Sequence, residues 1–263
     1  MPYLDRAGTR IYYEIAGDPG GGHPPLLLSH GFSASSQMWR PNVPALAAGR
    51  QVITWDLRGH GRSDSPDDPA QYSHAACLAD MAALLDAAGT ERAVVGGLSL
   101  GGFLSLAFAQ ERPERVDALV LCDTGPGFRS DQARQRWNDR AFATAARLER
   151  DGLAALGGDP GEPDYGHRSA RGLALASRGM LAQQDGRVIE GLASVKVPVL
   201  VLVGARDEAF LPAAGYLTAK IPGAVQVVVP DAGHVSNVDQ PGQFNQSVLA
   251  FLAGAAGPPA PAR

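Results

Sequence analysis

The stretch Ala93-Val94-Val95-Gly96-Gly97-Leu98-Ser99-Leu100-Gly101-Gly102 decides how this chain is read. A short apolar run, Ala93 to Gly97, breaks off at a serine, and a helix-like segment, Leu100 to Gln110, begins immediately after it. The pattern G-x-S-x-G across a strand-to-helix junction predicts a sharp, strained turn that lifts the Ser99 hydroxyl above a sheet. Glycines two positions either side remove the Cβ atoms that would collide there.

Working outward, further short apolar runs alternate with amphipathic ones, as in a parallel sheet wrapped by helices. Thr9 to Ile15 alternates like an edge strand. Pro25 to Ser29, Gln51 to Trp55, Val116 to Cys122, Pro198 to Val203 and Val225 to Val229 complete the predicted sheet. His74 to Ala88 places Cys77, Leu78, Met81, Leu84 and Leu85 on one helical face, with Gly89 where the helix should stop. Pro212 to Ala219 and Gln243 to Leu252 fill the later helical slots. Between Pro126 and Gly186 no strand-like run occurs. Helical segments rich in Arg, Ala and Leu are broken there by the turn-forming stretch 157–163, which predicts a helical cap inserted over the carboxyl ends of the strands. The expected organisation is a core of residues 1–125 and 187–253, a cap over 126–186, and a disordered Ala/Gly/Pro tail over 254–263.

A serine hydroxyl is a weak nucleophile at neutral pH, so a base must take its proton and an acid must hold that base in the correct tautomer. Each should lie in a loop after a strand. His234, in Asp231-Ala232-Gly233-His234, follows the Val225 to Val229 run, and Asp207, in Gly204-Ala205-Arg206-Asp207, follows Val199 to Val203. Glu208 and Asp123 compete for the acid's role, Asp123 because it too stands at a strand end. Of the other histidines, His23, His74 and His167 are expected to be solvated, whereas His30 and His60 belong to loop motifs. Two backbone N–H groups should face the oxygen that becomes negative: Leu100, in the first turn of a helix, and Phe32, in His30-Gly31-Phe32 after the Pro25 to Ser29 strand. The charged loop Asp56 to Asp64 is read as structural, its Asp56, Arg58, Arg62 and Asp64 pairing with one another and bracing the serine turn. One histidine among carboxylates is not a specific metal-ligand spacing.

The 263 residues suit one large α/β domain, and the net charge of -4 without a basic run argues against nucleic-acid binding. Cys77 and Cys122 read as buried free thiols, consistent with a reducing compartment. The amino terminus lacks a signal-peptide pattern and no apolar run is long enough to span a membrane, so a cytoplasmic protein with no membrane partner is expected.

Taken together and in this order, His30-Gly31-Phe32, Asp56 to Asp64, Gly97 to Gly102, Gly204-x-x-Asp207 and Ala232-Gly233-His234 resemble the motifs of the α/β-hydrolase superfamily. The Gly97 to Gly102 and Ala232 to Pro241 segments look like those of 3-oxoadipate enol-lactonases and small bacterial carboxylesterases. The resemblance implies cleavage of a small-molecule ester or lactone, with Ser99, Asp207 and His234 as the catalytic residues and no cofactor. Relatives also use such residues for C–C bond hydrolysis, perhydrolysis or a lyase step, and a non-catalytic small-molecule receptor is the reading of another class. The cap arginines Arg129, Arg134, Arg136, Arg140 and Arg147 offer cations for an acidic lactone. Most of them are expected to be solvated, among Asp131, Asp139 and Glu149 at surface-pairing distances.

Overall fold

A computed structural model describes residues 3–157 and 164–255. Eight strands form one sheet: β1 Tyr3–Arg6, β2 Thr9–Ala16, β3 Leu26–Ser29, β4 Val52–Trp55, β5 Ala93–Leu98, β6 Val116–Cys122, β7 Val199–Gly204 and β8 Val225–Val229. Their spatial order is β1-β2-β4-β3-β5-β6-β7-β8, antiparallel over the first three and parallel from β4 to β8. The helices are α1 Val43–Leu46, α2 His74–Ala87, α3 Leu100–Glu111, α4 Asp131–Asp151, α5 Ala170–Ala176, α6 Arg187–Glu190, α7 Leu211–Lys220, α8 Ser236–Asp239 and α9 Pro241–Ala255.

The parallel strands read as unbroken apolar runs because both of their faces are buried. Successive side chains point to opposite faces, so Leu27, Ile53, Val95, Leu119 and Val201 join one core with α2 and α3. Leu26, Leu28, Val52, Val94, Val120 and Leu202 join the other with Phe244 and Val248 of α9. Helix α3 is buried along nearly its whole length, Leu100 to Ala109, which makes it the central helix of the first core. Cys77 and Cys122 are buried and unpaired. No described helix is long and apolar enough to cross a membrane.

Two expectations need correction. Thr9 to Ile15 is not an edge: β1 lies outside it, paired through the turn at Ala7-Gly8, and four residues are too few to register as an alternating pattern. The tail does not begin at 254, since α9 continues through Ala255; residues 256–263 fall outside those described, as does most of the 157–163 stretch. Between β6 and β7 the described residues hold helices and turns and no strand: α4, a 3-10 segment at Gly152–Leu156, α5 and a π-helical turn at Ser177–Leu181. Ser130 and Ser169 cap α4 and α5, their hydroxyls accepting from Ala133 N and Gly172 N.

Candidate active site

Parallel register brings the carboxyl ends of the central strands to one edge of the sheet. Ser29 stands level with Trp55 and Gly97, Leu98 with Cys122, Cys122 with Leu202, and Gly204 with Val229. The loops carrying Phe32, Asp56, Ser99, Asp123, Asp207 and His234 therefore share one rim, where ligands bind in open α/β sheets.

Ser99 has φ 54° and ψ −115°, a backbone state that costs a non-glycine residue on the order of 1–3 kcal/mol. The turn is held from outside: Ser99 N donates to Cys122 O at 2.9 Å, and Thr124 Oγ1 donates to Ser99 O at 2.6 Å. A Cβ on Gly101 would stand 2.2 Å from Ser29 O, and one on Gly97 2.4 Å from the Gly101 carbonyl carbon, so no side chain fits at either position. The Ser99 hydroxyl forms no hydrogen bond with any described residue.

His234 Nδ1 lies 2.7 Å from Asp207 Oδ2. The Asp207 side chain is 5 % exposed and the His234 ring 39 %, so the carboxylate works from inside on an imidazole that reaches solvent. An Nδ1–H donated to that carboxylate leaves Nε2 as the basic nitrogen. Phe210 stacks on the imidazole at 4.7 Å between ring centroids, and the same side chain lines the cavity beside Ser99. The structure thus joins His234 to Asp207 directly, and Phe210 touches both the imidazole and the Ser99 cavity. It shows no hydrogen bond between Ser99 and His234, a contact that in such sites often tightens only with substrate present.

Asp123, the rival carboxylate, is spent elsewhere. Its Oδ1 accepts from Gly204 N at 2.8 Å and its Oδ2 from the Ser236 hydroxyl. It therefore ties the ends of β6 and β7 to α8 and forms no hydrogen bond with His234. Burial pushes its pKa up to about 7, against the opposing pull of the Ser236 and Gly204 hydrogen bonds.

The N–H groups of Phe32 and Leu100 donate to no other described residue, Leu100 because it occupies the first position of a helix. The loop carrying Phe32 is braced by histidines. His30 is fully buried, with Nδ1 2.6 Å from Gly31 O and Nε2 accepting from Leu57 N at 2.9 Å. Buried His60 packs edge-on against Phe32 and approaches both His30 and His167. His74 and His167 are not solvated as expected. His74 Nε2 donates to Met180 O, while His167 accepts from Gly61 N and lies 2.9 Å from Ser33 O, which ties the cap to two core loops.

The Asp56 to Asp64 loop is structural, but its charges pair with distant elements and not with one another. Asp64 pairs with Arg10, Arg58 with Asp80, and Arg62 with Tyr12 and Glu14. Asp56 accepts from the backbone of Ser36 and Arg62. Through the Leu57 to His30 bond the loop braces the Phe32 segment, and not the serine turn.

These imidazoles imply acid sensitivity. Burial lowers the pKa of His30 to about 4 and drives that of His60 down as well, so both are neutral in the fold. The unfolded chain takes up their protons near pH 6.5, and stability is lost as pH falls from there toward about 4. A urea midpoint clearly lower at pH 5 than at pH 7, with no His30 titration by NMR above pH 5, is the expected result.

The cavity at Ser99 holds about 290 Å³ and is mainly apolar, with Leu100, Phe103, Phe128, Trp137, Leu181 and Phe210 among its lining residues. The sequence did not single out these residues apart from Leu100. About half of the wall comes from the segment between β6 and β7, whose packing orientation no local pattern announces. Besides Ser99 and Thr124, the polar side chains of Gln183 and Arg140 line it. The buried Gln183 Oε1 lacks a partner, and Arg140 forms no ion pair among the described residues. Of the other cap charges, Arg134 pairs with Asp131 and Glu149 with Arg178, while Asp139 accepts from Gln135.

Comparison with known proteins shows what this fold is similar to. A 3-oxoadipate enol-lactonase of Acinetobacter baylyi is 28 % identical over 267 residues, covering 94 % of this chain and 95 % of its own. A protein of Azorhizobium caulinodans named as the carbamate hydrolase RutD is 32 % identical over 277 residues, covering 95 % and 98 %. The solved enol-lactonase of Burkholderia xenovorans LB400 superposes with a TM-score of 0.78 at 28 % identity, over 96 % of this chain and all of its own. The pattern of the alpha/beta hydrolase fold family matches residues 24–160, from the strand that precedes His30 through the serine turn and into the cap. With the eight-stranded sheet and the strained turn at its centre, this chain belongs to the α/β-hydrolase family.

Proposed function

We propose that the protein is a serine hydrolase that cleaves a carboxylic ester or lactone through an acyl-enzyme on Ser99. The observation that carries this reading is the His234 Nδ1 to Asp207 hydrogen bond of 2.7 Å, at the same sheet edge that holds the strained Ser99 beside a mainly apolar cavity.

In the first half-reaction His234 Nε2 takes the Ser99 proton as the oxygen attacks the carbonyl carbon. The oxyanion is met by the Phe32 and Leu100 N–H groups, each such donor contributing about 3 kcal/mol in the transition state. As the carbon–oxygen bond breaks, the imidazolium returns the proton to the departing alkoxide, which leaves as an alcohol or, from a lactone, stays attached as a hydroxyl. Water activated by the same nitrogen then releases the acid and restores Ser99. Asp207 stays ionised throughout and stabilises the imidazolium. The substrate is a small molecule with a mainly apolar acyl part, and no cofactor enters any step.

A carbamate is the second reading, favoured by the 32 % identical relative of that name; the attack is the same and the leaving groups differ. An ethoxy-fluorophosphonate probe should modify the wild-type protein at Ser99 and leave Ser99→Ala untouched. Wild-type protein that resists the probe and hydrolyses no short p-nitrophenyl ester would remove the proposal.

A further inference from the structure

A second cleft adjoins the Ser99 cavity at Phe103. It holds about 790 Å³ against about 290 Å³, and His74, Leu78, Ala107, Leu175, Gly179 and Gln184 are among its lining residues. Phe103 lines both spaces. Helix α3 runs past the two of them, with Ser99 and Leu100 facing the first, Ala107 and Gln110 the second, and Phe103 at the changeover.

We propose that Phe103 is the partition that closes the Ser99 cavity and sets the longest acyl chain the enzyme accepts. This rests on the ester-hydrolase reading above.

Three observations support a fixed wall. Phe103 is only 7 % exposed and sits one helical turn from the nucleophile, its N–H donating to Ser99 O at 3.0 Å. Its ring packs on His74 at 5.0 Å between centroids, and His74 in turn donates to Met180 O at 2.7 Å. One imidazole therefore steadies the ring and the cap segment facing it. That segment is the other half of the partition: Leu181 and Gln183 line the first space, Gly179 and Gln184 the second. It has no room to retreat, because a Cβ on Gly179 would stand 1.7 Å from Tyr72 O. A cavity near the small end of the range for ligand sites thus lies across the Phe103 ring and this segment from a space nearly three times larger.

An acyl chain that lies along α3 must end at this ring. Truncating Phe103 would join the two spaces and let a longer chain bury its end among Leu78, Ala107 and Leu175. The test is kcat/KM for p-nitrophenyl esters from acetate to dodecanoate with wild type, Phe103→Ala and Phe103→Leu. The wild type should favour the short esters. The decanoate-to-butanoate ratio should rise at least about tenfold in Phe103→Ala, and less in Phe103→Leu, through a lower KM for the long ester.

General damage lowers all chain lengths together and leaves that ratio unchanged. A ratio within about twofold of wild type in variants that still hydrolyse butanoate therefore overturns the partition. If Phe103→Ala does not fold, the ratio in Phe103→Leu decides alone. A wild type that neither hydrolyses any ester nor reacts with the fluorophosphonate overturns the hydrolase reading and this inference with it, whereas an unchanged ratio in an active enzyme removes the partition only.

Discussion

The Ser99→Ala protein is expected to fold like wild type and to lose at least about a thousandfold in kcat/KM toward short esters, with most of the loss in kcat. The two halves of this expectation have separate grounds. Stability should hardly change because the hydroxyl forms no hydrogen bond with any described residue, while the turn is kept by hydrogen bonds to the Ser99 backbone from Cys122 O and the Thr124 hydroxyl that alanine retains. Activity should collapse because no other described group on the cavity wall is an oxygen nucleophile with His234 nearby: the Thr124 hydroxyl is already donated to Ser99 O. The residue of rate left over reports what the oxyanion donors and substrate positioning achieve without covalent chemistry. Steady-state kinetics with thermal unfolding on the same sample check both. Turnover undiminished in a folded Ser99→Ala protein would end the acyl-enzyme mechanism.

Some of this architecture is readable from sequence and some is not, and the division follows locality. The parallel strands are legible because burial on both faces makes each an apolar run, and the serine turn is legible because its glycines are required by contacts at fixed chain spacing. Asp207 and His234 are legible because strand ends come together whatever the rest of the fold does. Partners across the fold are another matter. Arg10 meets Asp64 and Arg58 meets Asp80 only because β2, the loop after β4 and α2 become neighbours, and nothing in the local charge pattern distinguishes that from pairing within the loop. His167 looked like a surface histidine because its acceptors and donors, Ser33 and Gly61, lie more than a hundred residues away. Trp137 and Gln183 escaped notice for a related reason: which face of α4 turns inward depends on packing against the core, and Gln183 lies in an irregular segment after Leu181 that no periodicity marks.

The second large effect separates two buried carboxylates at one sheet edge. Asp207→Asn keeps the volume and should keep the fold, yet it should lower kcat by about four orders of magnitude. An asparagine amide donating to Nδ1 forces the imidazole proton onto Nε2, and the ring can then no longer accept from Ser99. Asp123→Asn is the contrasting case. Asp123 accepts from Gly204 N and the Ser236 hydroxyl and forms no hydrogen bond with His234, so its replacement should show mainly as a lowered urea midpoint, with kcat reduced less than about tenfold. The pH dependence sharpens the contrast. With its folded pKa raised to about 7, Asp123 holds a proton that the unfolded chain releases near pH 4, so its contribution to stability is present at low pH and fades as pH rises through about 7. The stability of wild type relative to Asp123→Asn should therefore fall across that interval. Measuring kcat and the urea midpoint for both variants assigns the acid. If Asp123→Asn lost as much rate as Asp207→Asn while staying folded, the histidine would be taking its orientation from the β6 end of the sheet, and the 2.7 Å contact with Asp207 would be structural.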